Sequence, residues 1–180
     1  MLINKPIKIL LVEDEDYDVR RVKNTLKLFE NMIQIRDVVS NGNSAVELLK
    51  ENYKKYDVII MDYQIAGRLK GEELIRQLKA IAPSIQIIVI TKMTINITDF
   101  EFASNLMRAG ASWYCTKYPG DIEQYIYQPT DFILSIINSY EKKVLDEERH
   151  RSNKKLSQNI DDILKQKIIM VVKKETEIKC

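Results

Sequence analysis

Three carboxylates, a hydroxyl and an amine stand where position in the chain invites chemistry: Glu13, Asp14, Asp62, Thr91 and Lys117. Each follows a short apolar run: IKILLV before Glu13 and Asp14, DVIIM before Asp62, IQIIVI before Thr91, and ASWYC shortly before Lys117. Carboxylates gathered without a cation repel one another and hold their protons more tightly, so the set asks for a positive partner. Lys117 supplies one charge and a hard divalent ion would supply the rest. Magnesium takes oxygen ligands, keeps several waters and is commonly held by one or two carboxylates plus phosphate oxygens. Asp14 and Asp62 are the expected direct ligands, with Glu13 acting through water. A carboxylate is also a nucleophile toward phosphorus once cations neutralise the phosphoryl oxygens. Asp62 would be that nucleophile, with the Thr91 hydroxyl as a hydrogen-bond donor.

The apolar runs have strand length, and the segments between them have helical periodicity. Val19, Val22, Leu26 and Phe29 fall on one helix face, as do Ala45, Val46, Leu49 and Tyr53, and then Leu74, Ile75, Leu78 and Ile81. Ile33, Ile35 and Val39 alternate imperfectly with polar residues, which predicts a strand near a sheet edge. Asn41-Gly42 supplies a turn, and Pro83 keeps the helix that follows Gly71 from running into the next strand. Thr98 and Glu101 form a capping-box pattern for a helix through Phe102, Leu106 and Ala109, ended by Gly110. Strands joined by helical crossovers form a parallel sheet, so the fold class is α/β. Ligands in such sheets bind beyond the carboxyl ends of the strands, where the five residues lie.

Taken in order, these residues and their surroundings resemble the receiver domains of two-component response regulators. The matching text is LLVED at Leu10 to Asp14, VIIMD at Val58 to Asp62, IVITK at Ile88 to Lys92 and GASWYCTK at Gly110 to Lys117. The resemblance implies a doubly wound, flavodoxin-like sheet of five parallel strands in the order 2-1-3-4-5. It also implies that Asp62 takes a phosphoryl group from a phosphohistidine on a histidine kinase or phosphotransfer protein. Mg2+ would be bound by Asp14, Asp62 and the backbone carbonyl of Gln64, while Thr91 and Lys117 would contact the phosphoryl group. Tyr114 matches the aromatic whose rotamer follows the threonine, and the surface of helix four, strand five and helix five would carry the output. The implied protein is a signalling switch rather than a turnover enzyme. An Asp-nucleophile phosphohydrolase generally has a second Asp two residues on, where this chain has Gln64. A third reading is a dimerisation module that works without phosphorylation.

The chain departs from the family pattern in four places. Ala66 stands where a Pro is usual, Gly71 falls one position late, Lys92 replaces a small residue after Thr91, and Lys117-Tyr118-Pro119 replaces a Lys-Pro pair. The segment Gly120 to Pro129 reads as an enlarged loop. Thr130 or Asp131 would cap a helix carrying Phe132, Ile133, Ile136, Ile137, Tyr140 and Val144. The charged run Asp146 to Lys155 has no Gly or Pro to stop it, and Leu156, Ile160, Ile163 and Leu164 resume an apolar face. A helix from Asp131 to Lys167 would be roughly 55 Å long at 1.5 Å per residue. The expected organisation is a receiver over 1-145 and a helical linker over 146-180 that pairs with a second copy and leads toward an output domain. That linker resembles the receiver-linker segments of sigma-54-dependent transcriptional activators.

Of the 180 residues, 45% are apolar and 30% charged, enough for one sizeable core. Lys and Arg total 28 against 26 acids, and a net charge of +2 does not indicate a dedicated nucleic-acid or membrane surface. No apolar stretch reaches the roughly 18 residues of a membrane span, and acids follow the first apolar run too soon for a secretory signal. Cys115 and Cys180 lack metal-site spacing, and His150, the sole histidine, sits in the charged run. A reduced, cytoplasmic protein is expected.

Overall fold

The computed structural model describes residues 5–92, 99–118 and 124–177. Five parallel strands form one sheet in the order β2-β1-β3-β4-β5: β1 (Ile7–Val12), β2 (Ile33–Val39), β3 (Val58–Asp62), β4 (Gln86–Thr91) and β5 (Trp113–Thr116). Helices α1 (Asp16–Leu26), α2 (Gly42–Asn52), α3 (Gly71–Ile81) and α4 (Asp99–Ala109) make the crossovers, and α5 (Pro129–Glu177) follows β5. The doubly wound arrangement and its strand order agree with expectation. β2 lies at an edge, as its imperfect alternation suggested.

The central strands are continuously apolar because both faces are covered, and successive side chains enter different cores. Leu10, Val12, Ile59, Met61, Ile87 and Val89 face α2, α3 and α4, meeting Leu49, Leu74, Leu78 and Leu106. Ile9, Leu11, Val58, Ile60, Ile88 and Ile90 face the other way, meeting Val22 and Leu26 of α1 and Phe132, Ile133 and Ile136 of α5. Each such Ile or Leu contributes about 1.5–3 kcal/mol relative to an exposed one. Asn41 caps α2, its side chain accepting from Ser44 N at 2.9 Å. Gly42 packs so closely that a Cβ there would collide with the Leu69 carbonyl oxygen, so α2 buttresses the loop after β3.

Several boundaries differ from the sequence reading. β3 and β4 each run one residue further, taking in Asp62 and Thr91, because the ladder continues through Tyr63 N to Ile90 O at 2.9 Å and Lys117 N to Thr91 O at 2.6 Å. β5 begins at Trp113 rather than Ala111, and Tyr53 leaves the helical stripe for a 3-10 turn. The Thr98 cap and much of the Gly120 to Pro129 loop lie outside the described residues.

Two compact units divide the chain, Met1–Lys143 and Val144–Cys180. Within the second, residues through Glu177 are helical, and Leu145, Leu156, Ile160, Ile163 and Leu164 are exposed. No helix among the described residues is long and apolar enough to cross a membrane.

Candidate functional site

Parallel register gathers the site. β1 pairs with β3 through Val12 and Met61, so the next residues, Glu13 and Asp62, emerge side by side. β3 pairs with β4 through Asp62 and Ile90, and β4 with β5 through Thr91 and Thr116. Lys117 therefore leaves the sheet one strand beyond Thr91 and reaches back across the strand ends. Its ammonium is wholly buried and lies 3.0 Å from Asp62 Oδ2, 2.8 Å from Glu13 Oε2 and 2.7 Å from Asp18 Oδ2. Gln64 N donates to Asp62 Oδ1 at 3.1 Å, which holds the carboxylate from the loop side. Thr91 is buried, and Tyr114 packs half-buried against the core beneath α4.

Glu13, Asp14 and Asp62 each present an oxygen, and these lie within 4.8 Å of one another. Glu13 and Asp62 are buried and Asp14 is exposed. A set of hard oxygen donors with one open side fits a magnesium ion that keeps part of its water shell. The electrostatics point the same way. Burial pushes the Glu13 carboxyl up to about 7, although hydrogen bonding and attraction from Lys117 pull it down. Burial likewise disfavours the Lys117 ammonium, but its bonds to Asp18 and Glu13 outweigh this and hold its pKa above the ordinary value. The Glu13 carboxyl thus keeps its proton to near neutral pH, and a cation bound beside it would favour the ionised form.

Sequence reasoning placed Glu13, Asp14, Asp62, Thr91 and Lys117 at the strand ends, and the structure brings Glu13, Asp14, Asp62 and Lys117 into one group. It did not single out Asp18 or Arg21. Asp18, in the first turn of α1, is buried, and burial raises its pKa; Lys117 and Arg21 reverse that and leave it below the ordinary carboxylate range. Arg21 Nη1 donates to Asp18 Oδ1 at 3.1 Å. Lys92, the departure after Thr91, reaches over the pocket to Glu15 Oε2 at 2.7 Å and lies 3.8 Å from Asp18 Oδ2, half-exposed. Trp113, which begins the edge strand β5, is 51% exposed.

A doubly wound sheet with acids and a lysine gathered at the carboxyl ends of its strands defines a receiver-like α/β protein. The chain belongs to the family described as Response regulator receiver domain, which it matches over residues 9–126. Among curated proteins it is similar to the transcriptional regulatory protein ComA of Bacillus subtilis (strain 168), 25% identical over 144 residues, covering 79% of this chain and 64% of ComA. It is also similar to the uncharacterized transcriptional regulatory protein YesN of the same organism, 28% identical over 129 residues, covering 72% of this chain and 33% of YesN. The chain therefore spans only part of each of these relatives. Among solved structures, a response regulator receiver domain protein from Clostridium thermocellum superposes with a TM-score of 0.61 at 25% identity, covering 77% of this chain and 98% of that one.

Proposed function

We propose that this receiver is a phosphorylation switch in which Asp62 takes a phosphoryl group from a phosphohistidine on a partner kinase or phosphotransfer protein. The observation that carries the reading is the buried Lys117 ammonium 3.0 Å from Asp62 Oδ2, beside carboxylate oxygens within 4.8 Å of one another. A carboxylate oxygen of Asp62 attacks phosphorus, the P–N bond breaks, and the departing imidazole takes up a proton. Lys117 gives an N–H to a phosphoryl oxygen and Thr91 gives its hydroxyl. Mg2+, held by Asp14, Asp62 and the Gln64 carbonyl, with Glu13 through water, would neutralise the remaining phosphoryl charge. The added group brings about 1.5–2 negative charges into the pocket. Thr91 and Tyr114 respond, and the face formed by α4, β5 and the start of α5 changes its packing.

Incubation with acetyl phosphate and Mg2+ should add the mass of one phosphoryl group to the intact protein and none to Asp62→Asn. No gain by the wild type, or an equal gain by the variant, overturns the assignment. Sustained hydrolysis of phosphate esters dependent on Asp62 would instead favour a turnover enzyme, against which Gln64 already speaks.

Residues 1–145 are assigned to the receiver and 146–180 to a helical linker that joins a second copy of the chain. Support comes from the exposed Leu156, Ile160, Ile163 and Leu164. Sedimentation equilibrium should show a dimer that becomes monomeric in the double variant Leu156→Lys, Ile163→Lys; a wild type that is already monomeric removes the pairing. The descriptions of the two Bacillus relatives as transcriptional regulatory proteins support transcriptional control as the output.

A further inference from the structure

A lysine ammonium has three N–H bonds to give, and among the described residues the acceptors around Lys117 number three: Asp18 Oδ2 at 2.7 Å, Glu13 Oε2 at 2.8 Å and Asp62 Oδ2 at 3.0 Å. The four-carbon lysine stem is flexible and sets no direction of its own. Glu13 follows β1, Asp18 lies on α1 and Asp62 ends β3, so the ammonium is held from three separate elements. With two N–H bonds committed to Glu13 and Asp18, the third is aimed at Asp62. Asp18 is itself fixed. Its other oxygen accepts from Arg21 Nη1, and Arg21 Nη2 donates to the carbonyls of Tyr118 at 2.7 Å and Tyr125 at 2.8 Å. Tyr118 N donates to Ile126 O at 2.9 Å, and Thr25 Oγ1 accepts from Ile126 N at 3.0 Å. The anchor of Asp18 is therefore also the clamp on both described ends of the connection between β5 and α5.

Resting on the phosphoacceptor reading above, we propose that Asp18, anchored by Arg21, is a positioning residue that aims the third N–H of Lys117 at the group carried by Asp62. On phosphorylation Lys117 keeps Glu13 and Asp18 and exchanges one acceptor, Asp62 Oδ2, for a phosphoryl oxygen. The donor is in place before charge develops, which is the condition under which such a group stabilises a transition state most. Asp18 stands outside the Glu13, Asp14 and Asp62 group that suits a metal. Its loss should therefore act on the phosphoryl group more than on the ion.

Three full-length proteins, wild type, Asp18→Asn and Asp18→Ala, would be titrated with Mg2+ alone and then with trifluoroberyllate, a stable phosphoryl mimic, in saturating Mg2+. Asp18→Ala removes the acceptor and should weaken trifluoroberyllate binding by about tenfold or more, the worth of one charge-assisted hydrogen bond. Mg2+ affinity should change several-fold less, and Asp18→Asn, which keeps an oxygen for Lys117, should recover most of the loss. Equal losses of Mg2+ and trifluoroberyllate binding, or no loss of either, overturn the positioning role. If Asp18→Ala does not fold, 15N NMR of the Lys117 ammonium decides. Wild type should show a slowly exchanging Nζ signal and Asp18→Ser, whose shorter side chain cannot reach the ammonium, a faster one; identical exchange overturns the proposal. A wild type that takes no phosphoryl group would sink the function reading alone, because the ammonium spectrum reports on Asp18 whether or not Asp62 reacts.

Discussion

Raising the pH should destabilise the metal-free protein between about pH 4.5 and about pH 7, and Glu13 is the cause. Burial moves its carboxyl from 4.5 in the unfolded chain to about 7 in the folded one. Over that window the native state binds a proton that the unfolded state has released, so the unfolding free energy falls as pH rises. The favourable contribution is complete below the unfolded pKa and gone above the folded one. At about 1.4 kcal/mol per pH unit, the move from 4.5 to about 7 gives roughly 3.5 kcal/mol at most. Water entry and local relaxation reduce what a buried charge costs, so about 2 kcal/mol is the working expectation. Urea unfolding in the presence of a chelator, at several pH values across the window, measures the slope directly. Glu13→Gln keeps an oxygen for Lys117 and abolishes the titration, so its curve should be flat there. Mg2+ should flatten the wild-type curve too, because the ion binds the ionised carboxylate and displaces the proton. Parallel slopes for wild type and Glu13→Gln would refute the reasoning.

Lys117→Met leaves Glu13, Asp18 and Asp62 facing one another without their shared cation; the loss should be about 3–5 kcal/mol near neutral pH, read by urea unfolding. Mg2+ should recover part of it. Gly42→Ala drives a Cβ into the Leu69 carbonyl oxygen, and the displaced loop should cost about 1–3 kcal/mol, seen as a lower Tm. Lys92→Ala breaks a half-exposed ion pair with Glu15, so stability should change by less than about 1 kcal/mol, and less still in high salt.

The strand ends were legible because parallel strands buried on both faces read as continuous apolar runs, and a polar residue that stops such a run must face the carboxyl edge. Asp62 and Thr91 were found that way, although each belongs to its strand rather than following it. Asp18 and Arg21 were not found, because charges near a helix start ordinarily read as a solvated first turn. Their spacing did carry a signal. Asp18, Arg21 and Thr25 form a polar stripe beside the apolar Val22 and Leu26, and all three are buried. A polar stripe adjoining the core-facing stripe of a helix points to a buried network rather than to solvent, once strand-end acids are known to need cations.

The most direct test of the central claim is to trap the acyl phosphate where it forms. The protein would be treated with a phosphodonor and Mg2+, reduced with borohydride so that hydride converts the acyl phosphate to an alcohol and phosphate leaves, and digested for peptide mass mapping. Homoserine at position 62, dependent on both donor and Mg2+, is the predicted result. Homoserine at position 14, a reduced side chain at position 13, or no reduced residue at all would contradict the account.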